Sequence, residues 1–318
     1  MEKQELKPAG VFKYFAEICQ VPRPSKKEEK IIAYLKAFGE KHNLETKVDE
    51  AGNVLIKKPA TPGKENLQTV ILQSHVDMVC EKNNGTVREV DIRPLSCNIQ
   101  YRQNKNVITF MLDKPQYLSV EFNGDRLHNL HLFANPLETE VYKKAEKGIM
   151  YFGPGVHAPL DLPNNLIRVP GNTTVYLAPG AVLKAKLLVD GVENVRIIGR
   201  GILAHPVRGI EVTNAKNVLI DGITVVNPNH YTVFGAGTKG LTVKNLKSFS
   251  CKSWSDGIDL MCCRDVLIDN VFMRNSDDCI ALYNHRWNWW GGSGNITVQN
   301  AVLWADIAHP INVGGHGD

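Results

Sequence analysis

Five phrases decide the architecture: Val195-Arg196-Ile197-Ile198-Gly199, Val218-Leu219-Ile220-Asp221-Gly222, Leu241-Thr242-Val243-Lys244-Asn245, Val266-Leu267-Ile268-Asp269-Asn270 and Ile296-Thr297-Val298-Gln299-Asn300. Apolar residues two apart mark a strand that buries one face. The Gly or Asn that follows is a residue that enters left-handed turn conformations at least strain. Recurrence at roughly 23–30 residues gives one coil of a parallel β-helix per repeat, each coil burying its inward side chains against the next. Leucine-rich repeats share the period but require Leu at fixed positions and a helix, and this segment has neither. Two strand–turn units with Pro-Gly corners, Met150–His157 and Thr174–Leu183, carry the pattern back to Gly148.

The expected fold is therefore mainly β. A parallel β-helix over 148–318 follows a small antiparallel β unit (85–147) and an N-terminal α/β fragment (1–84). The totals agree with a globular protein: 318 residues, 43% hydrophobic, 22% charged. A net charge of +4 is too mild to argue for nucleic acid and tolerates an acidic polysaccharide. Seven cysteines, an odd number without a CxxC pair, do not read as a disulfide framework. Cys251, Cys262, Cys263 and Cys279 are expected to pack as small buried apolar groups. The first residues lack the apolar core of a signal peptide and no run reaches the ~18 residues of a membrane span, so the chain as written reads as cytoplasmic.

In the first segment, Val11, Phe12, Phe15, Ile18 and Cys19 fall at helical spacing. Ser25 and Glu28 form a capping box that predicts a helix from Lys26 to about His42. Gly52-Asn53 is a turn before a short strand, Val54–Lys57, and Thr69–Ser74 reads as a buried-type strand leading into His75-Val76-Asp77. The stretches PRPSKKEEKIIAYLKAFGEKHNLE, DEAGNVLIKKPATPG and LQSHVDMVCEKN resemble the start of the aminoacyl-histidine dipeptidases, two-zinc metallopeptidases. The resemblance covers about residues 5–84 and implies that His75 is a zinc ligand with Asp77 as its orienter. A catalytic zinc needs about three protein ligands, and the family's other ligands lie in sequence this chain does not have. The expectation is a vestigial, inert metal site, with zinc a cofactor only if that site were complete.

The composition changes near residues 83–86, where the chain reads as a fusion. Val107–Leu112, Tyr117–Phe122 and Leu130–Leu132 look like strands, with Asn123-Gly124 as a hairpin turn. Pro136–Lys147 is expected to be a short connecting helix.

The chemistry gathers between Ser253 and Asp278. Asp256 and Asp277 are 21 residues apart, close to one coil, so Asp256 and the Asp277-Asp278 pair should meet on one face. Consecutive residues of a regular strand point to opposite sides, so a corner or bulge must fall at Asp277-Asp278. Crowded carboxylates raise one another's pKa, which sets a protonated acid beside an ionised base. Solvated turn aspartates or a calcium site are the plainer readings of the same residues. The basic and aromatic stretch Tyr283–Trp290, with His285, Arg286 and Trp287, suits a sugar-binding wall, as does His230 one coil upstream. The alternative is a loop that folds its tryptophans back over the β-helix.

Trp254-Ser255-Asp256-Gly257-Ile258-Asp259, Ser276-Asp277-Asp278-Cys279 and Gly315-His316-Gly317 resemble the signature blocks of glycoside hydrolase family 28, the polygalacturonases and rhamnogalacturonases. The resemblance implies a right-handed β-helix without a cofactor, acting on a pectin-like polysaccharide. It also implies Asp277 as general acid, Asp256 and Asp278 as activators of the attacking water, inversion at the anomeric carbon, and His316 as a groove histidine. Relatives of this part are secreted or periplasmic. Trp254-Ser255 stands where the polygalacturonases have Asn-Thr, and their later Arg-x-Lys block is absent, so the chain reads as truncated at 318. The competing functions are the dipeptidase, a calcium-dependent β-helix lyase and a non-catalytic carbohydrate-binding stalk. Neither nucleic acid nor a membrane is an expected partner.

Overall fold

The computed structural model describes residues 9–23, 27–71, 76, 87–144, 146–159 and 165–315. They divide into two compact units, Met1–Thr86 and Val87–Asp318. The first holds two helices, Ala9–Cys19 and Glu29–Lys41, and an antiparallel pair, Glu45–Val48 with Val54–Lys57. The second helix starts at Glu29, later than Lys26. Glu28 stands at its N-cap without a side-chain capping bond, and Ser25 lies outside the described residues. Thr69–Ile71 are not strand, and Val70 and Ile71 are exposed. A buried-type strand needs neighbours on both edges, and the sheet described in this unit has only two strands.

The second unit is a parallel β-helix with three seven-stranded sheets. Each coil contributes one strand to each sheet. The five quoted phrases form consecutive strands of the first sheet, where Val195, Val218, Leu241, Val266 and Ile296 pair in unbroken register. Their inward side chains stack into one core that runs from Ile167 to Ile280. Each fully buried Val, Leu or Ile there contributes roughly 1.5–3 kcal/mol. The corner residues behave as the sequence requires: Asn172, Asn194, Asn217, Asn245, Asn270 and Asn300 all have positive φ. Their amides also bond between coils. Asn217 donates to Asn194 at 2.7 Å, Asn194 to Asn172 at 3.0 Å, and Asn270 to Asn245 at 2.7 Å.

The small antiparallel unit is present, with strands Val90–Arg93, Gln116–Phe122 and Asp125–Ala134 and the separate hairpin Tyr101–Asn104 with Val107–Phe110. Asn123 and Gly124, at φ 56° and 70°, make the turn with both central residues left-handed, as an Asn-Gly hairpin does. The unit packs on the second sheet of the solenoid. Lys247, 2% exposed, donates to Asn135 Oδ1 at 2.9 Å and to the Gly222 carbonyl at 2.6 Å.

The described residues of Pro136–Lys147 are not helical. Arg196 clasps both oxygens of Glu140 at 2.6 and 2.8 Å, Tyr176 donates to Glu138, and Arg200 donates to the Pro136 carbonyl. These tethers draw the segment out along the solenoid, and tertiary contacts override its local propensity. Cys263 and Cys279 are buried as expected, whereas Cys251 is exposed because it sits where the chain leaves the second sheet for a corner.

Candidate active site

Two corners, one coil apart, build the site. The chain leaves the second sheet after Phe249 and enters the third at Ile258; one coil later it leaves at Asn275 and enters at Ile280. Ile258 and Ile280 are register partners, and the Gly257 and Ile258 amides donate to the Asp278 and Cys279 carbonyls at 2.8 and 2.9 Å. Asp256 therefore lies beside Asp278, with Asp277 at the bend between them. Because Asp277 and Asp278 occupy a corner, both can reach the same face.

Buried polar bonds hold the corners in place. Asn275, fully buried, donates to Ser248 Oγ at 3.1 Å, to Ser250 Oγ at 3.0 Å and to the Ser255 carbonyl at 3.3 Å. The Ser255 and Ser276 hydroxyls meet at 3.1 Å. Buried networks of this kind rigidify a site, although Asn275 Oδ1 itself accepts no bond, and a one-sided deletion leaves buried donors unpaired.

One oxygen from each of Asp256, Asp277 and Asp278 lies within 4.8 Å of the other two. Asp278 is held on both oxygens: the His309 amide and Nδ1 meet Oδ1 at 3.0 and 2.9 Å, and Asn312 Nδ2 donates to Oδ2 at 2.6 Å. Asp256 is buried, and its carboxyl is pushed up to about 7, first by burial and then by the charge of Asp277. The charge of Asp278 adds to this and Arg286 opposes it. Such a trio can hold and hand on a proton near neutrality, and it is equally a donor set for a divalent cation. Among the described residues no other His, Cys, Asp and Glu side chains converge in this way.

The carboxylates open into a cleft of about 330 Å³. Trp254, His230, Tyr231, Tyr283, Arg286 and Trp287 line it. Arg286 and Trp287 reach it because a hairpin, His285–Arg286 paired with Trp289–Trp290, folds over the third sheet, where Trp289 meets Phe234. Arg286 lies over the rings of Trp287 and Tyr283, 4.7 and 4.9 Å from their centroids, and Trp287 stacks on Tyr231 at 6.2 Å. Arg208 donates to His230 Nδ1 at 3.3 Å. Burial, then the charges of Arg208 and Arg286, push His230 down to about 4, so it stays neutral at ordinary pH.

The structure brings together Asp256, Asp277, Asp278, His230, Arg286 and Trp287. It does not bring in His285, whose ring stacks on Trp290 at 3.4 Å and is not part of the cleft lining. Successive strand residues face opposite ways, so a hairpin that presents Arg286 turns His285 aside. His316, His75 and Asp77 lie outside the described residues. Sequence reasoning missed His309 and Asn312, which reach Asp278 from the next coil, and it left Arg208, Glu211 and Asp259 without a role. Glu211 and Asp259 occupy one outward column of the third sheet, separated by Phe234. Burial pushes Glu211 up, but hydrogen bonds from Lys186 and Arg208 outweigh this and leave it lowered. A carboxylate at an outward strand position ahead of an aromatic stretch was the available signal.

Residues 175–318 match the model of glycosyl hydrolases family 28. A 114-residue stretch is 28% identical to an exopolygalacturonase of Arabidopsis thaliana, covering 35% of this chain and 25% of that protein. A 94-residue stretch is 40% identical to the cytosol non-specific dipeptidase of Escherichia coli K12, covering 30% of this chain and 19% of that protein. The chain thus spans a quarter or less of the length of either curated relative. The family 28 exopolygalacturonase of Yersinia enterocolitica aligns with a TM-score of 0.40 at 11% identity, over 61% of this chain and 56% of that one. Dex49A of Penicillium minioluteum aligns with a TM-score of 0.45 at 16% identity, over 69% of this chain and 55% of that one.

Proposed function

We propose, from the match of residues 175–318 to the family 28 model, that the unit beginning at Val87 is a glycoside hydrolase of the pectin type, with a polygalacturonan-like polysaccharide as substrate. The observation that carries this reading is the convergence of Asp256, Asp277 and Asp278 in a cleft walled by tryptophan and arginine. Aromatic faces stack on sugar rings, and a guanidinium binds hydroxyls or a carboxylate.

In this reading Asp277, the more exposed of the Asp256–Asp277 pair, is the general acid. It delivers a proton to the glycosidic oxygen, beside Asp256, whose burial marks it as the inner member of the pair. Asp256 and Asp278 then accept a proton from the attacking water, with Asp278 held in place by His309 and Asn312. Attack from the opposite face inverts the anomeric carbon. Inversion needs carboxyls ~6.5–9.5 Å apart, leaving room for that water.

The test is reducing-sugar release from polygalacturonan, with the first anomer of the product read by proton NMR. Turnover abolished by Asp277→Asn, with binding kept, supports the hydrolase; an inverted first product assigns the mechanism. A chain that binds the polymer without cleaving it is the carbohydrate-binding stalk instead. Unsaturated products that vanish with a chelator mean a calcium-dependent lyase. For the dipeptidase reading, the described residues supply no zinc-binding group beside the aspartates, and no step is assigned to zinc.

A further inference from the structure

The hydrolase mechanism leaves one buried carboxylate unused. Asp259 is completely buried although it faces outward from the third sheet, because the hairpin that carries Arg286 and Trp287 covers it. Neither of its oxygens closes a hydrogen bond of regular geometry. The groups that face it are the Arg286 guanidinium, with Nη1 3.5 Å away, and the Tyr231 side chain. Burial first, then the charge of Asp256, push its carboxyl well above the usual range, against the pull of Arg286.

Arg286 has its own requirement. A guanidinium keeps its proton at any ordinary pH, and this one is only 14% exposed, set between the rings of Tyr283 and Trp287. Aromatic faces supply part of a counter-charge, and the Asp259 carboxyl beneath turns an oxygen towards the fork. At 3.5 Å, one nitrogen of the fork faces Asp259 and its other donors remain for the cleft.

We propose that Asp259 is a positioning residue: it is the buried carboxyl against which the Arg286 guanidinium is fixed in the cleft wall, and it acts on substrate only through that arginine. Its kinetic consequence rests on the hydrolase reading; its structural consequence does not.

The test is a double-mutant cycle on the full chain with Asp259→Asn, Arg286→Gln and the double variant, read by thermal melting and by steady-state kinetics on polygalacturonan. Arg286→Gln leaves a buried carboxyl without the donor that faces it and should lower Tm by about 5 °C. Adding Asp259→Asn should recover most of that loss. Either single variant should raise KM about tenfold and change kcat far less, and the double variant should be no worse than either single. Independent, additive effects on Tm and KM overturn the proposal, as does an Asp259→Asn chain that matches the wild type in KM. If Asp259→Asn alone fails to fold, Arg286→Lys decides: it keeps the charge and should keep Tm, and a Tm as low as that of Arg286→Gln overturns the proposal. If the wild-type chain cleaves no polysaccharide, the hydrolase reading falls and the melting cycle still decides this one.

Discussion

Asp256→Asn should make the protein more stable while it removes turnover, and the gain should depend on pH. In the fold Asp256 holds its proton up to about 7, whereas the unfolded chain gives it up near 3.8, where an ordinary aspartate does. Between these two values the folded state binds one more proton than the unfolded state, so stability falls as pH rises. The difference is roughly three pKa units at 1.36 kcal/mol each, about 4 kcal/mol in all. The penalty is absent below pH ~4, grows by about 1.4 kcal/mol per unit, and is complete above pH ~7. Exposure of only 5% leaves little solvent to screen it. An asparagine of the same shape has no charge to bury and should not show the decline. Denaturant midpoints of wild type and variant at about pH 4, 5.5, 7 and 8 measure it. The curves should coincide at the acid end and separate by about 4 kcal/mol at the alkaline end. Parallel curves would show that the crowding of Asp256 and Asp277 stores no such energy, and the acid–base argument built on it would fail.

Lys247 gives the opposite sign. Burial lowers it from 10.5 to about 7, so the unfolded chain binds the extra proton between those values and stability should rise from pH ~7 to ~10.5. Denaturation of Lys247→Met should lack that rise. Ile220→Ala opens a cavity at a fully buried position in the middle of the stacked core and should cost about 2–5 kcal/mol, read from the same denaturation curves. Asn312→Ala removes the 2.6 Å bond to Asp278 at a half-buried position. Sugar release should fall on the order of tenfold with the melting temperature nearly unchanged.

Much of the solenoid was legible because its determinants are periodic. Val195, Val218, Leu241, Val266 and Ile296 had to share a register for the Asn and Gly corners to coincide, and they do. The meeting of Asp256 with the Asp277-Asp278 pair followed from the same arithmetic, as did the need for a corner. What resisted reading was the non-periodic part. The hairpin from His285 to Trp290 interrupts the last repeat, and only its fold decides that Arg286 faces the cleft while His285 stacks on Trp290. Nothing local announces that His309 and Asn312, about 30 residues downstream, close on Asp278. Pro136–Lys147 has helix-forming residues, but its conformation is set by Arg196 and Arg200, which are remote in sequence.

The clamp on Asp278 has a consequence for how the protein loses function. A solenoid coil is stabilised by its neighbours, and single coils open locally at free energies below that of the whole. His309 and Asn312 belong to the coil whose strand Ile311–Val313 pairs with Ile280–Tyr283. Local opening of that coil would unclasp Asp278 while the coils before it stay wound. Hydrogen exchange at Ile311–Val313 should therefore run in step with the loss of activity on warming, and both should come before any change in the β signal. The chemistry of the cleft works as a thermometer of one coil rather than of the fold.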